Sequence, residues 1–129
     1  MIVGLGLDIA RVERIEELLA RHGERFLKRV CTAGERAQAN GYTDAHALAN
    51  HVAGRVAAKE AAAKALGTGI AQGVTWHDFE VVRGPSGCPS LRATGVAAQL
   101  LARRGVGNVL LSISHDGGIA AAVVVLEGE

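Results

Sequence analysis

At 129 residues, 49% hydrophobic and 21% charged, the chain has the size of one ordinary domain and the means to bury a core instead of staying disordered. Its net charge of +1, from 14 basic and 13 acidic residues, lacks the basic excess of a dedicated nucleic-acid binder. Cys31 and Cys88 form neither a zinc pattern nor a disulfide framework and read as reduced thiols of a cytosolic protein; the early Asp8 and the lack of a long apolar run argue against a signal peptide and a membrane span.

With Phe26, Tyr42, Trp76 and Phe79 as the only aromatics, alanine, valine and leucine carry the packing, so elements can approach closely. No repeat or low-complexity linker interrupts residues 1–129, which read as one domain. A chain this short has little room for a deep pocket, which favours a site shared between subunits if it is an enzyme.

Residues 2–9 predict a strand. Val3, Leu5, Leu7 and Ile9 fall on one face; Gly4, Gly6 and Asp8 fall on the other, which is bare enough for a close neighbour or a ligand. Residues 11–22 predict an amphipathic helix with an apolar stripe of Val12, Ile15, Leu18, Leu19 and His22. Thr32-Ala-Gly-Glu35 is a capping box that opens a short helix to about Asn40. A long helix runs from about Asp44 to Leu66, with Gly67 as its stop. Trp76–Val82 predicts a strand, residues 84–89 a loop, and Thr94 the cap of a helix through Arg104. Residues 108–115 and 119–127 predict two strands joined at Asp116-Gly117. The order β-α-α-α-β-α-β-β gives an α+β fold with a mostly antiparallel sheet, one long helix and several shorter ones.

The long helix is anomalous. Leu48, Val52, Val56, Ala63 and Leu66 form its stripe, and Lys59 falls near the middle of it. Glu60 and Lys64 stand on the edge at i, i+4, and most other positions are alanine. A helix small and apolar nearly all round is normally buried, yet this one carries Arg55, Lys59, Glu60 and Lys64, which need partners. An exposed alanine-rich helix with surface ion pairs has equal standing on composition alone. The bare face ending in Asp8, and the Gly67-Thr-Gly-Ile70 turn after the helix, tip the balance. Two carboxylates with a nearby lysine suit a magnesium ion and phosphates, and a glycine turn lets backbone amides approach a ligand.

The first helix adds a second signal. Arg11, Arg14, Arg21 and Arg25 fall within about 80° on a helical wheel, beside Leu18 and Phe26, with the glutamates on the other flank. Residues 11–36 hold seven of the fourteen basic residues. That flank suits a strongly acidic helical partner, although ordinary surface pairing produces similar patterns.

The segments GLGLDIARVERI (4–15), FLKRVCTAGE (26–35), AGRVAAKEAAAKALGTGI (53–70) and SISHDGGIAAAVVV (112–125) together resemble the small holo-acyl-carrier-protein synthases, which are 4′-phosphopantetheinyl transferases. The resemblance implies that fold and a cytoplasmic, magnesium-dependent enzyme. Its reaction moves the phosphopantetheine arm of coenzyme A onto a serine of apo acyl carrier protein, of a fatty-acid or polyketide system, and releases adenosine 3′,5′-bisphosphate. It puts the metal ligands on Asp8 and Glu60, and the catalytic set on Asp8, Glu60 and Lys64. It puts coenzyme A contacts on Arg55, Lys64, Gly67, Thr68, Gly69, Ile70, Ser114 and His115. Carrier docking falls on Arg14, joined on the arginine flank by Arg21, Arg25 and Phe26. It implies a homotrimer with sites between subunits, and neither nucleic acid nor membrane as a partner. Either Glu60 or a metal-held water would take the serine proton. Two departures stand out: Cys88 occupies a loop position where the family often has lysine, and the chain is one residue longer near His22–Glu24 than some members. His22, His46, His51 and His77 read as structural or solvated. A non-catalytic nucleotide-binding protein and an oligomerisation module are the rival readings.

Overall fold

A computed structural model describes residues 1–128. The alternation at the N-terminus produces strand β1 (Ile2–Arg11), and the C-terminal pattern produces a long hairpin, β4 (Val106–Asp116) and β5 (Ile119–Gly128). Gly117 and Gly118 make the hairpin turn at φ 54° and 78°, the left-handed region glycine tolerates. Strand β5 lies in the middle of an antiparallel sheet of order β1-β5-β4. The order and antiparallel pairing agree with the α+β expectation.

Helix α4 (Ala45–Leu66) crosses the inner face of this sheet. Asp44 starts it by accepting a hydrogen bond from the Ala47 amide at 2.8 Å, and Gly67, at φ 83°, ends it. Its many alanines are buried nearly all round. The closest approach is to β1. A Cβ on Gly6 would stand 1.8 Å from the Ala61 carbonyl oxygen, and one on Gly4 2.6 Å from that of Ala65. The bare strand face is therefore covered by the backbone of α4 itself.

The branched residues of β1 look the other way. Leu5, Leu7 and Ile9 are 64%, 59% and 60% exposed, aligned across the sheet with Val125, Val123 and Ala121. Leu110 of β4 extends this apolar outer face.

The predicted first helix is α1 (Val12–His22); Gly23 then breaks it, and α2 (Glu24–Val30) starts as a separate helix. His22 is exposed, outside the apolar stripe assigned to it, because the helix ends there. Arg11 belongs to β1 and Arg25 to α2, so the four-arginine wheel does not lie on one helix. The capping box of α3 (Ala33–Ala39) is present, with Thr32 and Glu35 bonded reciprocally. Trp76–Asp78 form a 3₁₀ turn, and strand β2 covers only Phe79–Arg83. Its partner β3 (Pro89–Ala93) was not anticipated, since Pro89 and Ser90 carry loop character and one short edge strand suffices to pair β2. Helix α5 (Gly95–Arg103) stands between β3 and β4. Among the described residues no helix is long and apolar enough to cross a membrane.

Lys59, fully buried, finds its partner in Glu35. It also donates to the Val30 carbonyl at 2.6 Å. Glu35 accepts from the Thr32 and Val81 amides, each at 2.8 Å. One ion pair thus joins α4, α3, the end of α2 and β2. Replacing Lys59 by methionine strands a buried carboxylate, so Lys59→Met should cost about 3–5 kcal/mol of stability, read as a lower urea midpoint.

Candidate active site

The contact between β1 and α4 decides what stands at the next exposed turn of each. Asp8 lies two residues beyond Gly6 on the same strand face, and Glu60 precedes Ala61. Lys64, one turn further along α4, donates to Asp8 Oδ1 at 2.7 Å and to the Leu7 carbonyl at 3.2 Å. Asp8 is only 8% exposed and Glu60 is half-buried, whereas the Lys64 side chain reaches solvent. The three residues expected to act together are together.

Their electrostatics are unbalanced. Burial pushes the Glu60 carboxyl above its ordinary 4.5; the Asp8 charge and a shared hydrogen bond with Asp8 push the same way, opposed by Lys64 and Arg14. The Lys64 ammonium is held above its usual value, chiefly by its hydrogen bond to Asp8, and stays charged. The two crowded carboxylates can hold a hard divalent cation, whereas the Lys64 ammonium, itself paired with Asp8, offers it no lone pair. No cluster of three His, Cys, Asp or Glu occurs among the described residues. A pair of carboxylates is what magnesium needs from a protein, since phosphate oxygens and water complete its shell. The residues therefore fit such an ion.

A cleft of about 330 Å³ opens beside these carboxylates. Asp8, Glu60, Arg11 and Arg14 form its polar end; Ile15, Leu18, Phe26, Val30, Val56 and Trp76 form its apolar end. It runs into a second cleft, of about 340 Å³, that shares Leu18, Phe26, Val30 and Trp76 and is rimmed by Arg25, Arg29 and His22. The arginine flank thus reforms in space: Arg14 comes from α1 and Arg25 from α2, because the break at Gly23 turns α2 back along the cleft. Arg21 is exposed on α1 and lines neither cleft. Trp76 and Val56, which complete the apolar wall, had no distinguishing local signal.

The remaining expected contacts are spread out. Arg55 sits five residues before Glu60 on α4, roughly 7.5 Å along the axis. It is 6% exposed, and no residue accepts a bond from its Nε. His115, on the inner sheet face, bonds the Asn50 carbonyl at 3.0 Å and packs on Gly54. Ser114 points to the opposite face, opposite Ala121. Within one chain Ser114 and His115 therefore do not reach Asp8. The Gly67–Ile70 turn uses its amides locally. Those of Gly67, Thr68 and Gly69 point back to the carbonyls of Ala63 and Lys64 and close the helix. What the turn presents is bare surface: nothing lies within 4 Å of a Cβ built on Gly67 or Gly69.

The family model described as the 4′-phosphopantetheinyl transferase superfamily matches residues 4–124. The holo-[acyl-carrier-protein] synthase of Anaeromyxobacter sp. (strain Fw109-5) is 51% identical over 132 residues, spanning 100% of this chain and 98% of that one. That of Vibrio cholerae serotype O1 (strain ATCC 39541) is 49% identical over 127 residues, spanning 98% of each. A crystal structure of the Bacillus anthracis holo-(acyl-carrier-protein) synthase in complex with CoA (3′,5′-ADP) superposes with a TM-score of 0.83 at 41% identity, over 100% of this chain and 99% of that one.

The crowding of Glu60 has a measurable sign. A carboxyl that binds its proton more tightly in the folded chain stabilises the fold at low pH and loses that contribution as pH rises through its folded pKa. At neutral pH in the absence of divalent metal, Glu60→Gln should therefore melt at a higher temperature than wild type. The difference should shrink as pH falls below the ordinary carboxylate value.

Proposed function

The chain belongs to the 4′-phosphopantetheinyl transferase superfamily, within it to the holo-[acyl-carrier-protein] synthases, and from this we propose a site-by-site account of its reaction. The reaction transfers the 4′-phosphopantetheine group of coenzyme A to a serine of apo acyl carrier protein and leaves adenosine 3′,5′-bisphosphate. The observation that carries the account is the convergence of Asp8, Glu60 and Lys64 at the polar end of an apolar, arginine-rimmed cleft.

Magnesium held by Asp8 and Glu60 supplies charge neutralisation for the pyrophosphate. Lys64, charged and exposed, offsets negative charge on the departing phosphate. Glu60 receives the proton of the serine hydroxyl at a carboxylate oxygen as the serine attacks. Arg55 and His115 meet other parts of coenzyme A, which passes over the bare Gly67–Ile70 turn. The unpartnered Nε of buried Arg55 supports this role. The acidic carrier docks along Arg14, Arg25 and Phe26, with Arg21 at the periphery.

The outer sheet face supports a homotrimer. An apolar surface of Leu5, Leu7, Ile9, Leu110 and Val123 is a poor match for water on any monomer. Covering it with neighbouring copies also gives Ser114, on the same face, a route to a neighbour's site. Residues 1–129 act as one domain, with two free cysteines suited to the cytoplasm.

Two measurements test this account. Asp8→Asn or Lys64→Ala should lower the initial rate of radiolabelled phosphopantetheine transfer on the order of 10²-fold or more, and EDTA should abolish transfer until magnesium is restored. Undiminished transfer by the Asp8 variant would contradict the metal role. Leu7→Glu should shift light-scattering mass from three chains to one and lower transfer with it; an unchanged mass would contradict the sheet-face trimer.

A further inference from the structure

Arg104 stands at the end of α5 and lines neither of the two clefts, yet its side chain reaches the contact on which the site is built. One guanidinium nitrogen, Nη1, donates to the Ala65 and Leu66 carbonyls at 3.3 and 2.9 Å. The other, Nη2, donates to the Val3 carbonyl at 2.9 Å. Each acceptor needs a donor from another element. The last carbonyls of a helix have no amide one turn on, and here the amides of Gly67, Thr68 and Gly69 all return to Ala63 and Lys64. Val3 is passed over in the ladder to β5, which steps from the Ile2–Glu127 pair to the Gly4–Leu126 pair and leaves a bulge between them. One planar fork therefore serves carbonyls of two elements and holds the end of α4 against β1. Its charge also suits the negative end of the helix dipole.

The guanidinium is itself held from behind. The Arg104 amide donates to the Leu100 carbonyl at 3.1 Å, α5 is seated on the core through buried Ala97 and Leu101, and Gly105, at φ 69°, turns the chain directly into β4. What the fork holds is next to the chemistry. Ala65 follows Lys64, and the Ala65 carbonyl is also the atom that lies over Gly4. Lys64 is a long, exposed side chain, so its aim at Asp8 depends on where its backbone is fixed. Arg104 is exposed as well, so separate waters can satisfy the three carbonyls once the guanidinium is gone, but without joining the two elements.

We propose that Arg104 is a positioning residue of the transfer reaction: by bridging Val3 to Ala65 and Leu66 it fixes where α4 presents Lys64 to Asp8 and to the departing phosphate. The proposal rests on the role given to Lys64 above and extends it to a residue that touches neither substrate nor metal.

The test is a double-mutant cycle on the full chain with apo acyl carrier protein, coenzyme A and magnesium, comparing wild type, Arg104→Ala, Lys64→Ala and the double variant. A small displacement caused far from the reacting atoms is enough to slow an enzyme, so Arg104→Ala should lower kcat at least about tenfold. The KM for coenzyme A should stay within about twofold of wild type, since the interaction weakened is one made to the departing phosphate. In the Lys64→Ala background the same change should cost less than about twofold, because the group it positions is already gone. All four proteins should be folded at the assay temperature and share one light-scattering mass. Should Arg104→Ala not fold, Arg104→Lys, which keeps the charge and removes the fork, should give the same pattern with a smaller loss. Equal losses in the two backgrounds, no loss in the wild-type background, a raised KM with kcat unchanged, or a lower mass would each overturn the role of Arg104 and leave the wider reading standing. Undiminished transfer by Lys64→Ala would overturn the reading of Lys64 and this proposal with it.

Discussion

The contact on which the rest depends is the one between the backbone of β1 and the backbone of α4. No side chain fits between Gly6 and the Ala61 carbonyl, and the fit at Gly4 and Ala65 is nearly as close. Strand and helix therefore meet at a separation only glycine permits. Asp8 is carried by that strand just past the contact, and Glu60 and Lys64 each precede one of the two alanines, Ala61 and Ala65, that make it. Two carboxylates that repel each other are thus brought together by packing elsewhere. Arg104 reinforces the contact by donating to the Ala65, Leu66 and Val3 carbonyls at 3.3, 2.9 and 2.9 Å, which ties the end of α4 to β1.

The four charges of α4 separate into distinct tasks along its length. Lys59, turned into the core, is neutralised by Glu35 and fixes the helices that carry the arginine-rimmed cleft. Glu60 and Lys64 face Asp8 and the cleft's polar end. Arg55, one turn from His51, is buried, and among the described residues nothing accepts from its Nε. The same helix therefore carries the Glu60–Lys64 pair beside Asp8 towards one end and the buried Arg55 towards the other.

Much of this was readable in the residues. The alternation of β1 marked a close neighbour on the glycine face, and the alanine-rich helix marked its own burial. What the sequence left ambiguous was which of two answers applied: the bare strand face could have met a ligand or a backbone, and it meets α4 with only Asp8 left for the site. The capping box at Thr32 was legible as local chemistry, but the long-range ion pair from Glu35 to Lys59 spans 24 residues and has no local trace. Glycine signals both helix ends and ligand loops, and in the Gly67–Ile70 turn the amides of Gly67, Thr68 and Gly69 close the helix. His51 read as structural or solvated, and its pairing with Tyr42 across nine residues has no local trace. Val56 read as part of the α4 stripe and Trp76 as the start of a strand, because the cleft wall they share is assembled from separate elements.

The most direct test of the central claim is intact-mass spectrometry of apo acyl carrier protein incubated with this chain, coenzyme A and magnesium, using wild type and Gly6→Ala side by side. The account predicts that the carrier gains the mass of one phosphopantetheine with wild type and gains little or none with Gly6→Ala. No gain with wild type, or an undiminished gain with Gly6→Ala, would contradict it.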